Sequence, residues 1–409
     1  MNATARPALY RNFHRLAWFA LIMTASTIMF GSFVRLSDAG LSCPDWPTCY
    51  GRVTWPQTQM EAAQHVASEI RPLESHKAWR EQVHRFLAGL LGVEVLILAL
   101  LAARRRKRGV SQIVTASVLV ALAIPLYMMG SHVAHNVFGA GALDSLPVQA
   151  MYWYGASAVV ALGGVFVLLL AALRWSNVDL ARVATLTLVV VIFQALLGMW
   201  TVTLLLKPIV VMGHLLGGML MFGLLVWMAW KATHLPITLA EAPRLRWWLR
   251  AGVALVVLQI ALGGWVSANY AALACGGGSV SLDNFPRCVS QWWPQQNYVE
   301  GFTLWRGIGV DYEGGVLDGA SRIAIQMAHR MMAVLVALYL LVLSVRMLRL
   351  PGMRGWATTL GVLIVLQITL GILNVKLALP LVVAVMHSGG AVALLFVLIT
   401  LLARLRAPE

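Results

Sequence analysis

The chain has 409 residues, 60% of them hydrophobic and only 11% charged, with a mean hydropathy of +0.77. That composition excludes a soluble domain of this length, since too few polar side chains remain to cover its surface. The net charge of +15 would invite a nucleic-acid partner in a soluble chain, but here the basic residues gather at helix ends and the partner is the lipid bilayer. In chain order, apolar stretches lie near 15–34, 81–103, 111–130, 151–173, 183–205, 209–230, 249–271, 324–346, 357–376 and 381–403. Each is about 20 residues, the length that crosses roughly 30 Å of hydrocarbon as a helix. The sequence therefore predicts an all-α integral membrane protein of about ten spans.

The basic clusters are Arg6, Arg11 and Arg15; Arg104, Arg105, Arg106, Lys107 and Arg108; Arg174 and Arg182; Lys231, Arg244, Arg246 and Arg250; Arg346, Arg349 and Arg354; Arg404 and Arg406. All fall on one side if both termini are cytoplasmic, as the positive-inside rule requires, and a bacterial inner membrane is the expected location. No small-residue cleavage site follows the first apolar run, which reads as a retained helix rather than a signal peptide. The long loops near 35–80 and 272–323 then face outward. Each carries one cysteine pair, Cys43 with Cys49 and Cys275 with Cys288, which in an oxidising compartment reads as an intra-loop disulfide. Structural staples and redox-active pairs are both open on sequence alone.

The chain repeats itself. QALLGMWTVTLLLKPIVVMGHLLGG from Gln194 matches QITLGILNVKLALPLVVAVMHSGG from Gln367, with His214 − Gln194 = 20 and His387 − Gln367 = 20. HRFLA at His84 matches HRMMA at His329, and GSFVRLSDAGLSC from Gly31 matches GWVSANYAALAC from Gly264 more weakly. Two copies of a four-helix unit in the same orientation follow. The first copy is longer, because 214 − 84 = 130 exceeds 387 − 329 = 58 by 72 residues. The expected organisation is 1–109 for the first half of an N-terminal bundle, 110–182 for an inserted transmembrane hairpin, 183–235 for the second half of that bundle and 236–409 for a C-terminal bundle. The outward loop of the hairpin, from His132 to Gln149, is a candidate partner surface.

His84, His214, His329 and His387 are each expected about five to eight residues from the outer end of a helix, hence about 8–12 Å deep at 1.5 Å per residue. A single such histidine is more often a hydrogen-bonded core residue, but four at one depth are a set. Ionisable groups inside a membrane demand a partner or a function. Neutral imidazoles facing across a bundle suit a haem iron, which takes an axial nitrogen from each side. No matching set of oxygen ligands or cysteines occurs at that depth, against calcium or structural zinc.

Arg85 and Arg330 follow two of these histidines, where a guanidinium could pair with a haem propionate or simply snorkel to the interface. Gly217, Gly218, Gly389 and Gly390 would admit a flat macrocycle or make small-residue helix contacts. Glu81 lies three residues before His84, on the same helical face, whereas the equivalent residue in the second copy is Gln326. One site thus carries a titratable group and the other does not, the pattern of one reactive and one electron-relaying site. An acid paired with Arg85 or Arg80 is the alternative. Gln194, Gln259 and Gln367 recur at similar depth and read as interhelical hydrogen-bonding groups.

GLSCPDWPTCYG (Gly40 to Gly51), EQVHR (Glu81 to Arg85), FQALLGMWTV followed by GHLLGG, LGGWVSANYAALAC and AHR (Ala328 to Arg330) closely resemble the haem A synthase family. The resemblance covers nearly the whole chain outside 110–182, and the inserted hairpin departs from the family's eight-helix pattern. It implies oxidation of the C8 methyl of haem O to a formyl group by successive hydroxylations, a geminal diol losing water to leave the aldehyde. It also implies that His84 and His214 ligate the substrate haem O, that His329 and His387 ligate a resident haem b, and that Glu81 acts in the oxidation. The Cys43 to Cys49 loop is implied to matter for activity. A haem O synthase would supply the substrate, terminal oxidase assembly factors would receive the product, and an electron acceptor of unspecified identity and a homo-oligomer are compatible with the pattern. Two other readings stand beside it: a diheme quinol-linked electron carrier, which would contain neither haem O nor haem A, and a haem transporter or chaperone, which would not convert one into the other.

Overall fold

A computed structural model of the chain describes residues 12–65, 68, 71–138, 147–175, 180–276 and 285–408. Among these residues, ten helices are long and apolar enough to span a membrane, and the chain is an all-α multi-pass membrane protein. They are α1 (Phe13–Leu36), α3 (Ser75–Ala103), α4 (Gly109–Phe138), α5 (Val148–Arg174), α6 (Leu180–Thr203), α7 (Pro208–Thr233), α8 (Ala242–Ala268), α10 (Gly319–Leu348), α11 (Arg354–Lys376) and α12 (Leu381–Arg404). Two short helices, α2 (Gln59–Ala62) and α9 (Tyr298–Gly301), lie in the long loops, and a two-residue parallel pair joins β1 (Ile237–Thr238) to β2 (Leu405–Arg406).

The chain forms two compact units: residues 1–24 with 39–203, and 25–38 with 204–409. In the first, α3 packs directly on α6, α4 and α5 pack along each other, and α5 also lies against α6. The hairpin is closely drawn together because Gly164 has no side chain: a Cβ there would stand 2.7 Å from the Ala116 carbonyl. Pro125 lies within α4, and Ser157 of α5 donates to the nearby Ala123 carbonyl at 2.7 Å. Farther along, Tyr127 meets Tyr154 of α5 and, edge-on at 6.0 Å, Trp46 of the first cysteine loop. The candidate partner loop between His132 and Gln149 falls in large part, at 139–146, outside the described residues.

In the second unit α8, α10, α11 and α12 close a four-helix ring, each touching the next, with α7 packed on α8 and α12. Polar side chains bind helix to helix where water is excluded: Trp230 Nε1 to the Thr400 hydroxyl at 2.8 Å, Tyr339 to the Trp248 carbonyl at 2.9 Å, Ser344 to the Ala357 carbonyl at 2.7 Å. The β1–β2 pair, with Arg404 on the Leu235 carbonyl and Arg246 on that of Leu405, ties the α7–α8 connection to the end of α12.

Two helix starts differ from expectation. α3 and α10 begin at Ser75 and Gly319 rather than at the onset of the apolar runs, so His84 lies 84 − 75 = 9 and His329 lies 329 − 319 = 10 residues inside. His214 and His387 lie 214 − 208 = 6 and 387 − 381 = 6 residues inside. The added turns are polar, and they are helical because the backbone is capped: Asp318 accepts from the Ser321 amide at 2.7 Å, and the Glu74 carbonyl takes the amides of Lys77 and Ala78. Hydropathy reports the membrane and says little about helix that projects beyond it.

Direct packing of α3 on α6, with α4 and α5 outside that contact, makes the hairpin dispensable for the topology. Joining Arg108 to Arg182 through a short polar linker should give a stably inserted protein that keeps the α3–α6 contact. Proteolysis should then cut more readily near Trp46, which loses Tyr127. Failure of the deletion protein to insert, with the full chain inserting normally alongside it, would contradict this placement.

Candidate functional site: two cysteine loops over histidine-bearing helices

The first cysteine loop is closed by the Cys43–Cys49 disulfide, with a Cα–Cα distance of 4.7 Å. Cys49 and Arg52 exchange backbone hydrogen bonds at 2.8 and 3.1 Å, and Asp45 accepts from the amides of Tyr50 and Gly51. A turn this tight leaves carbonyls without a ladder, and buried carbonyls need donors. Arg85 provides them. Its Nη1 donates to the carbonyls of Asp45 (2.8 Å) and Thr48 (2.5 Å), and its Nη2 to that of Cys43 (3.1 Å) and to Glu81 Oε1 (2.6 Å). Glu81 is only 5% exposed. Its second oxygen accepts from the Cys43 amide at 2.9 Å and the Ser42 hydroxyl at 3.2 Å. The loop therefore holds Oε2 of Glu81, and Arg85, one helical turn away, holds Oε1.

The second loop repeats this construction. Cys275 and Cys288 form a disulfide with a Cα–Cα distance of 4.4 Å, and Cys288 and Gln291 exchange backbone bonds at 2.8 and 3.0 Å, as Cys49 and Arg52 do. The local sequences are WPTC and FPRC. Arg330 Nη1 reaches the Arg287 carbonyl at 3.5 Å, the counterpart of Arg85 on Thr48. The rest of the guanidinium differs: with Gln326 in place of the glutamate, Arg330 Nε and Nη2 are buried with no hydrogen-bond partner among the described residues. Arg330 lies 5.4 Å and Lys376 Nζ 5.9 Å from the centroid of Phe285.

Beneath the second loop the histidines are cradled. Gln259 of α8 donates its amide to the His329 backbone carbonyl at 3.2 Å and stands 3.1 Å from His329 Nδ1. Gln367 of α11 donates to the His387 carbonyl at 3.1 Å and stands 3.4 Å from His387 Nε2. One turn beyond each glutamine a glycine faces the ring: a Cβ on Gly263 or Gly371 would lie 3.1 Å from Cε1 of His329 or His387. His387 Nδ1 and both glutamine Oε1 atoms are buried without a hydrogen-bond partner among the described residues.

Gly389 and Gly390 prove to be helix contacts. A Cβ on Gly389 would meet Met29 at 2.9 Å, and one on Gly390 would overlap Gln367 Oε1 at 2.0 Å. Gly390 is thus what lets Gln367 reach His387. The sequence reading overlooked Gly263 and Gly371, though a signal was present: glutamine followed four residues later by glycine occurs at Gln259–Gly263, Gln367–Gly371 and Gln194–Gly198. It also overlooked Lys207, which ends the α6–α7 turn as the N-cap residue of α7. That lysine is 1% exposed, its Nζ lies 3.6 Å above the Trp305 ring, and it has no hydrogen-bond partner among the described residues. Burial pushes its ammonium below the ordinary lysine value. His84 belongs to the first compact unit and His214 to the second.

A buried ion pair missing one member leaves an uncompensated charge, at a cost of about 3–5 kcal/mol. Arg85→Ala should therefore destabilise the first unit by that order and expose the Cys43–Cys49 loop to protease. Glu81→Gln with Arg85→Gln should cost less than the two single changes added together, because the pair is coupled. Strict additivity in thermal denaturation would mean that Glu81 and Arg85 act independently.

Among the described residues no three His, Cys, Asp or Glu side chains gather as a bare metal ion would require, whereas an iron already held by a macrocycle needs only two imidazoles. The family model described as cytochrome oxidase assembly protein, COX15-CtaA, matches residues 14–136 and 153–399. A protein of Shewanella oneidensis named Heme A synthase is 33% identical over 394 residues, 95% of this chain and 96% of that protein. One of the same name from Caulobacter vibrioides is 31% identical over 228 residues, 53% of this chain and 60% of that protein. With the matched residues running across both cysteine loops and all four histidine-bearing helices, the chain belongs to the COX15-CtaA family of cytochrome oxidase assembly proteins.

Proposed function

We propose that the chain is a haem A synthase, a membrane oxidoreductase that converts the C8 methyl of haem O to a formyl group by successive hydroxylations. The observation that carries this is the full-length likeness to a protein so named, joined to a histidine cradle that suits a haem. In the second bundle, His329 and His387 would ligate a resident haem b. The fit rests on orphaned buried atoms: Arg330 Nε and Nη2 await an acidic group, and Gln259 and Gln367 Oε1 are buried acceptors beside imidazoles, which commonly donate their second nitrogen to such a group when the first binds metal. Lys376 adds positive charge near Arg330. When bound, haem b supplies reversible one-electron transfer.

His84 and His214 would ligate the substrate haem O, an assignment carried by the repeat. Glu81 serves the oxidation through its anchored carboxylate, fixed against rotation by Arg85, Cys43 and Ser42. Arg85 holds the loop that keeps water from the site. The disulfides act as staples, since each closes a loop whose carbonyls then bind an arginine of the following histidine-bearing helix. By function the chain divides into 1–109 and 183–235 for the substrate half, 110–182 for the hairpin and 236–409 for the haem b half. The protein lies in the bacterial inner membrane with both termini cytoplasmic and the cysteine loops outside. A haem O synthase supplies its substrate, terminal oxidase assembly receives its product, and an electron acceptor completes the oxidation.

Extraction and chromatography of the bound haems is the test: haem b together with haem O or haem A supports the synthase, and haem b alone, with no conversion of added haem O, overturns it. His329→Ala and His387→Ala should lower haem b content and activity together. His84→Ala and His214→Ala should spare haem b and abolish conversion. Gln259→Leu and Gln367→Leu should keep the fold but shift the haem b absorption bands and midpoint potential; spectra identical to the parent's would show that the amides do not position the imidazoles.

A further inference from the structure

Lys207 is a buried cation that the proposed reaction has not used. It sits at the mouth of a 26-residue helix whose first turn has no side-chain cap, so the partial positive charge of that helix end points at the same place as the ammonium. A lysine 1% exposed, with no acid and no hydrogen-bond acceptor on Nζ among the described residues, holds a strong donor and a full charge in surroundings that answer them only with the face of Trp305. A cation–π contact compensates part of a desolvated charge; an anion would compensate more.

The register narrows the identity of that anion. His214 − Lys207 = 7, so the N-cap lysine stands about two helical turns, roughly 10 Å of axial rise, before His214. The second copy differs at this point. Lys207 aligns with Pro380, since 387 − 380 = 7, and the lysine of that copy, Lys376, aligns with Thr203, since 387 − 376 = 214 − 203 = 11. A cation seven residues before the histidine is thus found in the first copy and not in the second. The covering segment is also particular to this place: the Tyr312 amide donates to the Leu205 carbonyl at 3.1 Å, and the Tyr312 hydroxyl to that of Gly307 at 2.8 Å. These two bonds fold the strap that carries Trp305 onto the α6–α7 turn.

We infer that Lys207, with the N-terminus of α7, is a carboxylate-binding site that takes a propionate of the haem ligated by His214, with Trp305 lying over the ion pair. This rests on the proposed role of His214 and adds a substrate-orienting residue to it. A haem entering with its propionates toward the α6–α7 turn meets the ammonium; turned by half a revolution, it places an apolar edge there and leaves the charge unanswered. Lys207 therefore selects which edge of the macrocycle faces the α6–α7 turn.

The test uses the full-length protein with haem b bound, titrated spectrophotometrically with haem O and with haem O dimethyl ester. The parent protein should bind the free acid about 10- to 100-fold more tightly than the ester, the range of one charge-assisted hydrogen bond. Lys207→Met should bind both forms with the affinity of the ester and keep its haem b, and Lys207→Arg should restore the preference. Should Lys207→Met not accumulate, Lys207→Gln carries the same comparison. A variant lacking the lysine that still prefers the acid overturns the inference, as does equal weakening of both forms. His214→Ala separates the two levels: if it binds haem O as the parent does, the ligand assignment fails; if it abolishes binding while Lys207→Met retains the preference, only the role of Lys207 fails.

Discussion

The architecture depends on an arginine, one residue after a histidine, that lies beneath the tip of a disulfide-closed loop. A short loop stapled by cysteines cannot satisfy its carbonyls within itself, and a membrane-buried helix cannot satisfy them from water. Arg85 answers four such needs at once, counting the Glu81 carboxylate. The same geometry, relaxed to one long bond, recurs at Arg330. Because arginine and histidine are neighbours in sequence, fixing the guanidinium to the loop fixes the depth and rotation of the helix that presents the imidazole.

A second constraint is the cost of placing polar groups among apolar helices. The bundle meets it by pairing each histidine of the second copy with a glutamine on an adjacent helix, whose amide is pinned to the histidine's own backbone carbonyl. A side chain so placed needs room. Gly390 provides it for Gln367, and Gly263 and Gly371 provide it for the rings. Small residues in these helices therefore serve close approach at named atoms rather than general flexibility.

The spans, the duplication and the disulfide pairing were readable in the sequence because each rests on a one-dimensional signal: apolar run length, repeated spacing, cysteines confined to one loop. What resisted reading depends on contacts between elements. Nothing near Ser75 or Gly319 is apolar enough to announce a helix, and only the caps at Glu74 and Asp318 reveal one. Glu81 shares a face with His84 by periodicity, yet periodicity cannot say that a loop 38 residues upstream presents its amide to that carboxylate. Gly389 and Gly390 read equally as room for a macrocycle or as helix contacts, and only the neighbours that fill the space, Met29 and Gln367, from other parts of the chain, decide for contacts.

The two cysteine loops share one construction and differ at a few charged positions around it. Glu81 becomes Gln326, the saturated Arg85 becomes an Arg330 with two orphaned nitrogens, and the lysine above the histidine moves from the place of Lys207 to that of Lys376. These changes have a common direction. In the second copy Arg330 and Lys376 lie within reach of one aromatic ring of the cysteine loop, Phe285, an arrangement fit to hold the acidic edge of a permanent occupant. In the first copy the arginine is engaged by the loop and the glutamate, and Lys207, at the start of the helix that carries His214, lies beneath a strap that carries an exposed tryptophan. Under the proposed division of roles, the first site would admit a substrate and release its product, and so would hold neither as firmly as the second holds a cofactor. Moving the cation from the staple to the strap loosens that grip without giving up orientation.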